Sequence, residues 1–137
     1  MSLANTATLQ RAIYSHLSQD SDIAQQVGRH IYDALPSGTL PQLFISLGVD
    51  DVADASDVTG GGTLHDLTIS VITTQPGFLL AKDLAGSIGK ALLDTPPDLG
   101  PIGLVYLNFV RATARRDTDT QTRRIDMTFR ARIDTQK

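Results

Sequence analysis

Two long segments near the carboxyl end, residues 104–116 and 121–134, constrain the fold more than any other part of this chain. Both alternate apolar and polar side chains, which is the two-residue period of strands that bury one face. Because only a short polar stretch separates them, they predict an antiparallel β-hairpin whose turn is centred on Thr118 and Asp119.

Matching the apolar faces of the two strands sets the register of this hairpin. The predicted apolar pairs across the strands are Val110 with Met127 and Ala112 with Ile125. On the opposite face Arg111 lies across from Asp126, and a slip of one residue would mix the two faces. That opposite face also carries Arg124, Thr128, Arg130 and Arg132.

The amino-terminal third of the chain predicts helices. Apolar residues recur at three- and four-residue steps in a first helix that Thr6 or Thr8 caps and that ends near Gln19. A short helical turn follows over about residues 20–27, and Gly28 closes it by adopting a positive φ.

The middle of the chain predicts two further strands and a second main helix. Residues 43–49 and 66–71 alternate as strands, with a loop from Asp50 to Thr63 between them. Residues 78–93 form an amphipathic helix that two prolines stop. The expected fold is α+β: a largely antiparallel four-stranded sheet with two main helices covering one face.

Length and composition indicate one globular domain spanning residues 1–137. A hydrophobic fraction of 41% supports a real core, and zero cysteines exclude disulfides and thiolate metal sites. The net charge of -3 gives no general attraction to nucleic acid. No apolar run is long enough to span a bilayer and no signal peptide is evident, so we expect a protein made and assembled in a cytoplasm.

Catalytic and metal-binding patterns are absent from the sequence. Phosphate loops feed the start of a helix, whereas the run Gly60, Gly61 and Gly62 precedes a strand and favours a flexible loop. The aspartates of the acidic connector lack the alternate-residue spacing of a calcium loop, which favours a solvated loop. Those aspartates are Asp50, Asp51, Asp54 and Asp57. The three histidines are scattered, and we expect His65 at the surface. The sequence predicts a non-enzyme with no cofactor and no metal.

Arginines concentrate on the predicted hairpin. Seven of the 12 basic residues lie there, interleaved with aspartates, and the candidate interface residues among them are Arg111, Arg124, Asp126, Arg130 and Arg132. Such a mixed-charge face fits either a protein contact or plain solubility, with a nucleic-acid stripe less favoured. Gly86 and Gly89 lie opposite the apolar stripe of the second main helix, where a partner could approach the backbone closely or the helix simply tolerates them.

Several short landmarks occur in the order of a known family. They are Ile31-Tyr32-Asp33 turning into Pro36, Leu40-Pro41 opening a strand that ends at Gly48, and Gly60 to Thr63 before His65. Leu9 to Tyr14 and the hairpin from Arg115 to Ile133 extend the likeness to nearly the whole chain. In these features the sequence resembles the tail-completion, or tail-terminator, proteins in the neck of long-tailed bacteriophages and of phage-derived gene transfer agents.

The resemblance implies a structural virion protein at the junction of tail and neck. Such a protein forms a hexameric ring on the finished tail tube, stops its polymerisation and meets the head-side connector or stopper protein. DNA passes through the hole without specific binding, and the protein can be a monomer in solution. We expect the acidic connector, with Gly60 to Gly62 at its end, to face the tube or this passage.

Two other functions fit the same composition. One is a small dimeric ligand-binding or regulatory module, which a mass measurement would distinguish from a ring. The other is a nucleic-acid-binding domain, which a salt-dependent binding test would reveal.

Overall fold

A computed structural model describes residues 3–35, 37–55 and 61–134 of the chain. Its helices are α1 (Ala4–Gln19), α2 (Ser21–Val27) and α3 (Leu79–Asp94). Its strands are β1 (Ile31–Tyr32), β2 (Leu43–Asp54), β3 (Gly62–Thr73), β4 (Gly103–Asp117) and β5 (Thr122–Asp134). The strands form one sheet in the order β1-β2-β3-β5-β4, in which only the β1–β2 pair is parallel.

The first two helices begin and end for different local reasons. Helix α1 starts at Ala4 without a side-chain cap, so the predicted capping by Thr6 or Thr8 is wrong. Between α1 and α2, the carboxylate of Asp20 accepts the backbone N–H of Ile23 at 3.0 Å, as an N-cap does. Gly28 ends α2 with φ of 60°, which confirms its predicted role.

The helices pack on one face of the sheet and enclose the main core. Leu9, Ile13 and Leu17 of α1 meet the stripe of α3 and the inward-facing side chains of the strands. The inward-facing side chains of β5 are Ile125, Met127, Phe129, Ala131 and Ile133. His16 ties α1 to α3, because its Nε2 lies 2.7 Å from the backbone oxygen of Ala91.

The residues that the structure describes form five strands rather than the predicted four, and the second and third strands are longer than expected. Strand β1 contributes only two residues, too few to produce a periodic signal. The predicted loop from Asp50 to Thr63 is wrong at both ends, since β2 continues through Asp54 and β3 begins at Gly62. A bulge between Leu47 and Asp50 shifts the alternation of β2, which hides its second half from a pattern of period two.

The predicted hairpin exists, but its register is offset by two residues. Arg111 lies across from Thr128, and Thr113 rather than Arg111 lies across from Asp126. The carboxylate of Asp117 accepts the backbone N–H of Asp119 at 3.1 Å, which starts the turn one residue later than predicted. From Arg111 to Asp117 this even offset keeps each residue on its predicted face. Bulges at Val105 and Val110 change the phase earlier in β4, so the predicted pairing of Val110 with Met127 is wrong.

Candidate functional site

The charged face of the hairpin contains a compact cluster around Asp126. Its carboxylate accepts Nε of Arg124 at 3.0 Å, Nε of Arg115 at 3.2 Å and the hydroxyl of Ser70 at 2.6 Å. Burial alone would raise the pKa of Asp126, but the hydrogen bonds from Ser70, Arg124 and Arg115 outweigh it and lower the pKa. Asp126 therefore stays ionised and holds β3, β4 and β5 together.

Two further arginines on β5 are also paired within the chain. Arg130 holds Asp66 through two parallel bonds of 2.8 and 3.1 Å, which lower the pKa of Asp66 and raise that of Arg130. Arg132 bonds Asp134 at 3.0 Å and the backbone oxygen of Ala55 at 3.2 Å. These β5 side chains therefore stabilise the sheet surface, whatever contacts they add in an assembly.

Strand β4 differs, because most of it is exposed on both faces. From Asn108 to Arg116 every residue is exposed, including Phe109 at 47% and Val110 at 38%. Val105, further along the strand, is 52% exposed. Arg111 and Arg116 form no hydrogen bond or ion pair with the part of the chain that the structure describes, although Arg111 attracts Asp66 over a longer distance. Of the charged residues predicted for the interface, Arg111 alone has a guanidinium group that no carboxylate of the described chain binds.

The acidic residues of the predicted loop lie mostly in strand β2. Asp50, Asp51 and Asp54 belong to it, and Gly61 lies directly before β3, which Gly62 begins. The predictions for Asp57 and Gly60 fall outside the described residues. Asp50 is half-buried, and burial raises the pKa of its carboxyl. Neither Asp50 nor Asp51 has a hydrogen-bond or ion-pair partner in the described ranges.

Gly62 has a packing role that the sequence did not suggest. A Cβ atom added there would lie 2.8 Å from Oδ1 of Asp134 and 3.3 Å from the backbone oxygen of Ile133. A larger residue would displace the carboxylate of Asp134 and press on the β5 backbone, so glycine suits the close approach of β3 to β5. At Gly86 and Gly89 of α3 there is open space instead, since an added Cβ would meet no atom of the described residues within 4 Å. Their role as an interface stays a prediction.

His65 is fully buried, so its expected surface position is wrong. One ring nitrogen, Nε2, lies 2.8 Å from the hydroxyl oxygen of Thr63, and Nδ1 has no partner among the described residues. Burial lowers the pKa of His65. The sequence contained a signal for this burial, because His65 lies on the same face of β3 as the buried residues Leu67 and Ile69.

A groove of about 990 Å³ lies between α1 and β1. Its lining includes Leu3, Tyr14, Ile31, Tyr32, Asp33 and Leu47. The described part of the chain contains no group of three or more side chains suited to hold a metal ion. None of its helices has the length and apolar character needed to cross a membrane.

Comparisons with known proteins agree with this architecture of a structural sheet and helices. No curated protein sequence matches the chain. Among solved structures, a chain in the virion of a native gene transfer agent particle is similar, with 46% identity and a TM-score of 0.90. The alignment covers 98% of this chain and 100% of that one. Residues 11–134 match the family described as tail completion protein gp17, so the chain belongs to this family of phage-type virion proteins.

Proposed function

We propose that this protein forms a hexameric ring that ends the tail tube and joins it to the head-side connector. The observation that carries the proposal is the likeness, over 98% of the chain, to a chain of an assembled gene transfer agent particle. Membership of the tail completion family supports the same position in the particle.

The physical requirements of such a ring are modest and suit this fold. A terminator needs a rigid subunit, a contact that repeats around a closed ring and two rims that bind different partners. The five-stranded sheet, with its ion pairs across β3, β4 and β5, provides the rigid subunit. Contacts between copies can be weak in solution, because the tube end holds several copies side by side and raises their effective concentration.

The ring must bind the tube end more tightly than another layer of tube protein does. DNA passes through its hole without specific binding. The protein acts through these competing contacts and not through catalysis.

Deleting the gene and imaging the particles tests this function. We expect tails of abnormal and variable length that fail to join filled heads, because nothing then stops the polymerisation of tube protein. Supplying the gene on a plasmid should restore tail length and joining. Tails of normal length attached to heads in the deletion strain would contradict the proposal.

The groove between α1 and β1 favours a second candidate, a dimeric ligand-binding module. The mass of the complex extracted from particles decides between the two. A ring of six copies supports the terminator, and a dimer with a small molecule in the groove supports the alternative.

A further inference from the structure

The sheet ends in two open strand edges, one on each side. Among the described strands, β4 pairs only with β5. On the other side, β1 covers β2 only at Ile45 and Ser46, so in the described residues no strand covers the outer edge of β2 from Leu47 to Ala53. Both edges present unpaired backbone N–H and C=O groups, and such edges are templates for another strand.

The two edges carry opposite unpaired charges. On β4 the unpaired charged groups are the guanidinium groups of Arg111 and Arg116, whereas Arg115 is held by Asp126. On β2 they are the carboxylates of Asp50 and Asp51. On β5, Arg124, Arg130 and Arg132 pair with carboxylates of the described chain, and Arg123 donates to the backbone oxygen of Gln75 at 3.4 Å.

The β4 edge also carries exposed apolar side chains at positions where a strand edge in solvent normally carries residues that prevent pairing. Val105, Phe109 and Val110 are among the large hydrophobic side chains that the described chain leaves exposed. Edge strands that stay in water usually carry charges or prolines at such places. An exposed apolar stretch flanked by unpaired charges is typical of a surface that another chain covers.

From these observations we infer that β4 of one copy docks against the outer edge of β2, residues 47–53, of a second copy. The ladders place Arg111 level with the bulge of β2 and on the same face as Asp51, so Arg111 then lies near Asp51 of the next copy. The contact joins two different surfaces, so it repeats from copy to copy. Only the closure of the repeat into a ring rests on the proposed function.

The direction of the added strand follows from the sheet itself. Strands β2 and β5 run in the same direction and β4 runs opposite to them, because the pairs β2–β3, β3–β5 and β5–β4 are all antiparallel. A rotation about an axis along the strands keeps these directions. Strand β4 therefore meets β2 of the next copy in the antiparallel sense, and the sheets of all copies become continuous.

A contact between two β4 strands is disfavoured by charge. It would bring Arg111 and Arg116 of one copy against the same residues of another, and like charges placed opposite each other destabilise strand pairs. The acidic edge of β2 has the complementary charge. This assigns Asp50 and Asp51 to a contact between copies instead of the passage for DNA.

The absence of native cysteine allows a direct test by cross-linking. A double variant carries Val105→Cys on β4 and Ala53→Cys on β2, which the ladders place level with each other and which are both exposed. It is treated with a short bismaleimide in cells that make all particle proteins. We expect a ladder of covalent oligomers of this chain from the double variant, and no oligomers from either single variant.

A matched control replaces Ala53→Cys by Lys82→Cys, an exposed position on α3, and should give no ladder. Three outcomes would overturn the inference: no ladder from the double variant, dimers from Val105→Cys alone, or linkage of the β4 cysteine to another particle protein. Circular dichroism of each variant confirms that it folds.

A charge exchange gives a second, independent measurement. Arg111→Asp should abolish recovery of head-joined particles, and adding Asp51→Arg to it should restore them. Failure of this rescue counts against the charged contact. The gene deletion separates this inference from the proposed function, because a ladder together with normal tails in the deletion strain would refute the function and leave the contact standing.

Discussion

Strands β4 and β5 belong to one hairpin and have similar alternating sequences, yet their surroundings differ sharply. On β5 the inward side chains Ile125, Phe129 and Ile133 are buried. On β4 the residues from Asn108 to Arg116 are exposed on both faces. The difference arises because β5 lies between β3 and β4, whereas β4 has a single neighbour and its second half protrudes beyond the main core.

The alternation in a sequence therefore indicates which side chains lie on each face of a strand. It does not indicate whether another element covers that face. An apolar residue such as Phe109 can be in phase with the core and still lie outside it. Where a strand keeps apolar and charged groups that its own chain does not use, the missing cover has to come from another chain.

The largest expected effect is a difference in stability loss between substitutions of two phenylalanines that touch. Phe129 is fully buried, and the ring of Phe109 packs on its edge with the two ring centroids 5.7 Å apart. We expect Phe129→Ala to lower the free energy of unfolding by about 3–5 kcal/mol. For Phe109→Ala we expect about 1 kcal/mol, close to the value of one aromatic pair.

Urea unfolding at concentrations where the protein is monomeric measures both variants. Particle yield is the second readout, and the Phe109 variant should fold but join few tails to heads. Equal destabilisation by the two variants would remove the distinction between the covered and the uncovered strand.

A smaller effect is expected from the aspartates of the two regions. Asp126→Asn weakens the bonds from two arginines and Ser70, so it should cost about 1–3 kcal/mol of stability. Asp51→Asn, the control on the acidic edge, should change the stability of the monomer by less than about 0.5 kcal/mol. The same urea titration compares them, and a large loss from Asp51→Asn would mean that this residue serves the monomer after all.

The smallest effect concerns pH and the buried ring of His65, whose neighbour across the ladder is Ala131 of β5. Burial lowers its pKa in the folded state, so below pH 6.5 the unfolded chain binds a proton more readily than the folded one. Its contribution to stability is complete above this pH and is lost as the pH falls.

Unfolding measured from pH 7 to 5 should therefore show a decline that His65→Leu reduces and His30→Gln, at an exposed ring, leaves unchanged. The lowered pKa values of Asp66 and Asp126 remove stability only below pH 3.8, outside this window. The raised pKa of Asp50 has the opposite sign, since protonation below that raised value favours the folded state. An identical decline in the His65 variant would show that another group is responsible.

Much of the fold could be predicted from the sequence because long elements carry a long periodic signal. The hairpin and the three helical segments are of this kind, and Asp20 and Gly28 mark the ends of α2 by local chemistry. The predicted hairpin register was wrong by two residues because the carboxylate of Asp117 accepts backbone hydrogen bonds that shift the turn. Strand β1 is too short to be seen, and the bulge after Leu47 interrupts the alternation.

The candidate site was less predictable, because it depends on partners distant in the sequence. The arginines of the hairpin look alike in the sequence, yet Arg130 finds Asp66 and Arg111 finds no ion-pair partner in the described chain. Which of them pairs is decided by how β3 aligns with β5. The exposure of β4 likewise depends on the distance to which the helices extend over the sheet.

The arginines of the open β4 edge have a consequence for the time before assembly. Newly made copies must coexist in the producing cell while tails are still growing, and a bare apolar edge would let them aggregate into fibres. If β4 docks on β2 as inferred, the charges of Arg111 and Arg116 would also oppose such stacking of two β4 edges. The charges that would select the correct neighbouring copy on a finished tail would thus also keep unassembled copies from aggregating.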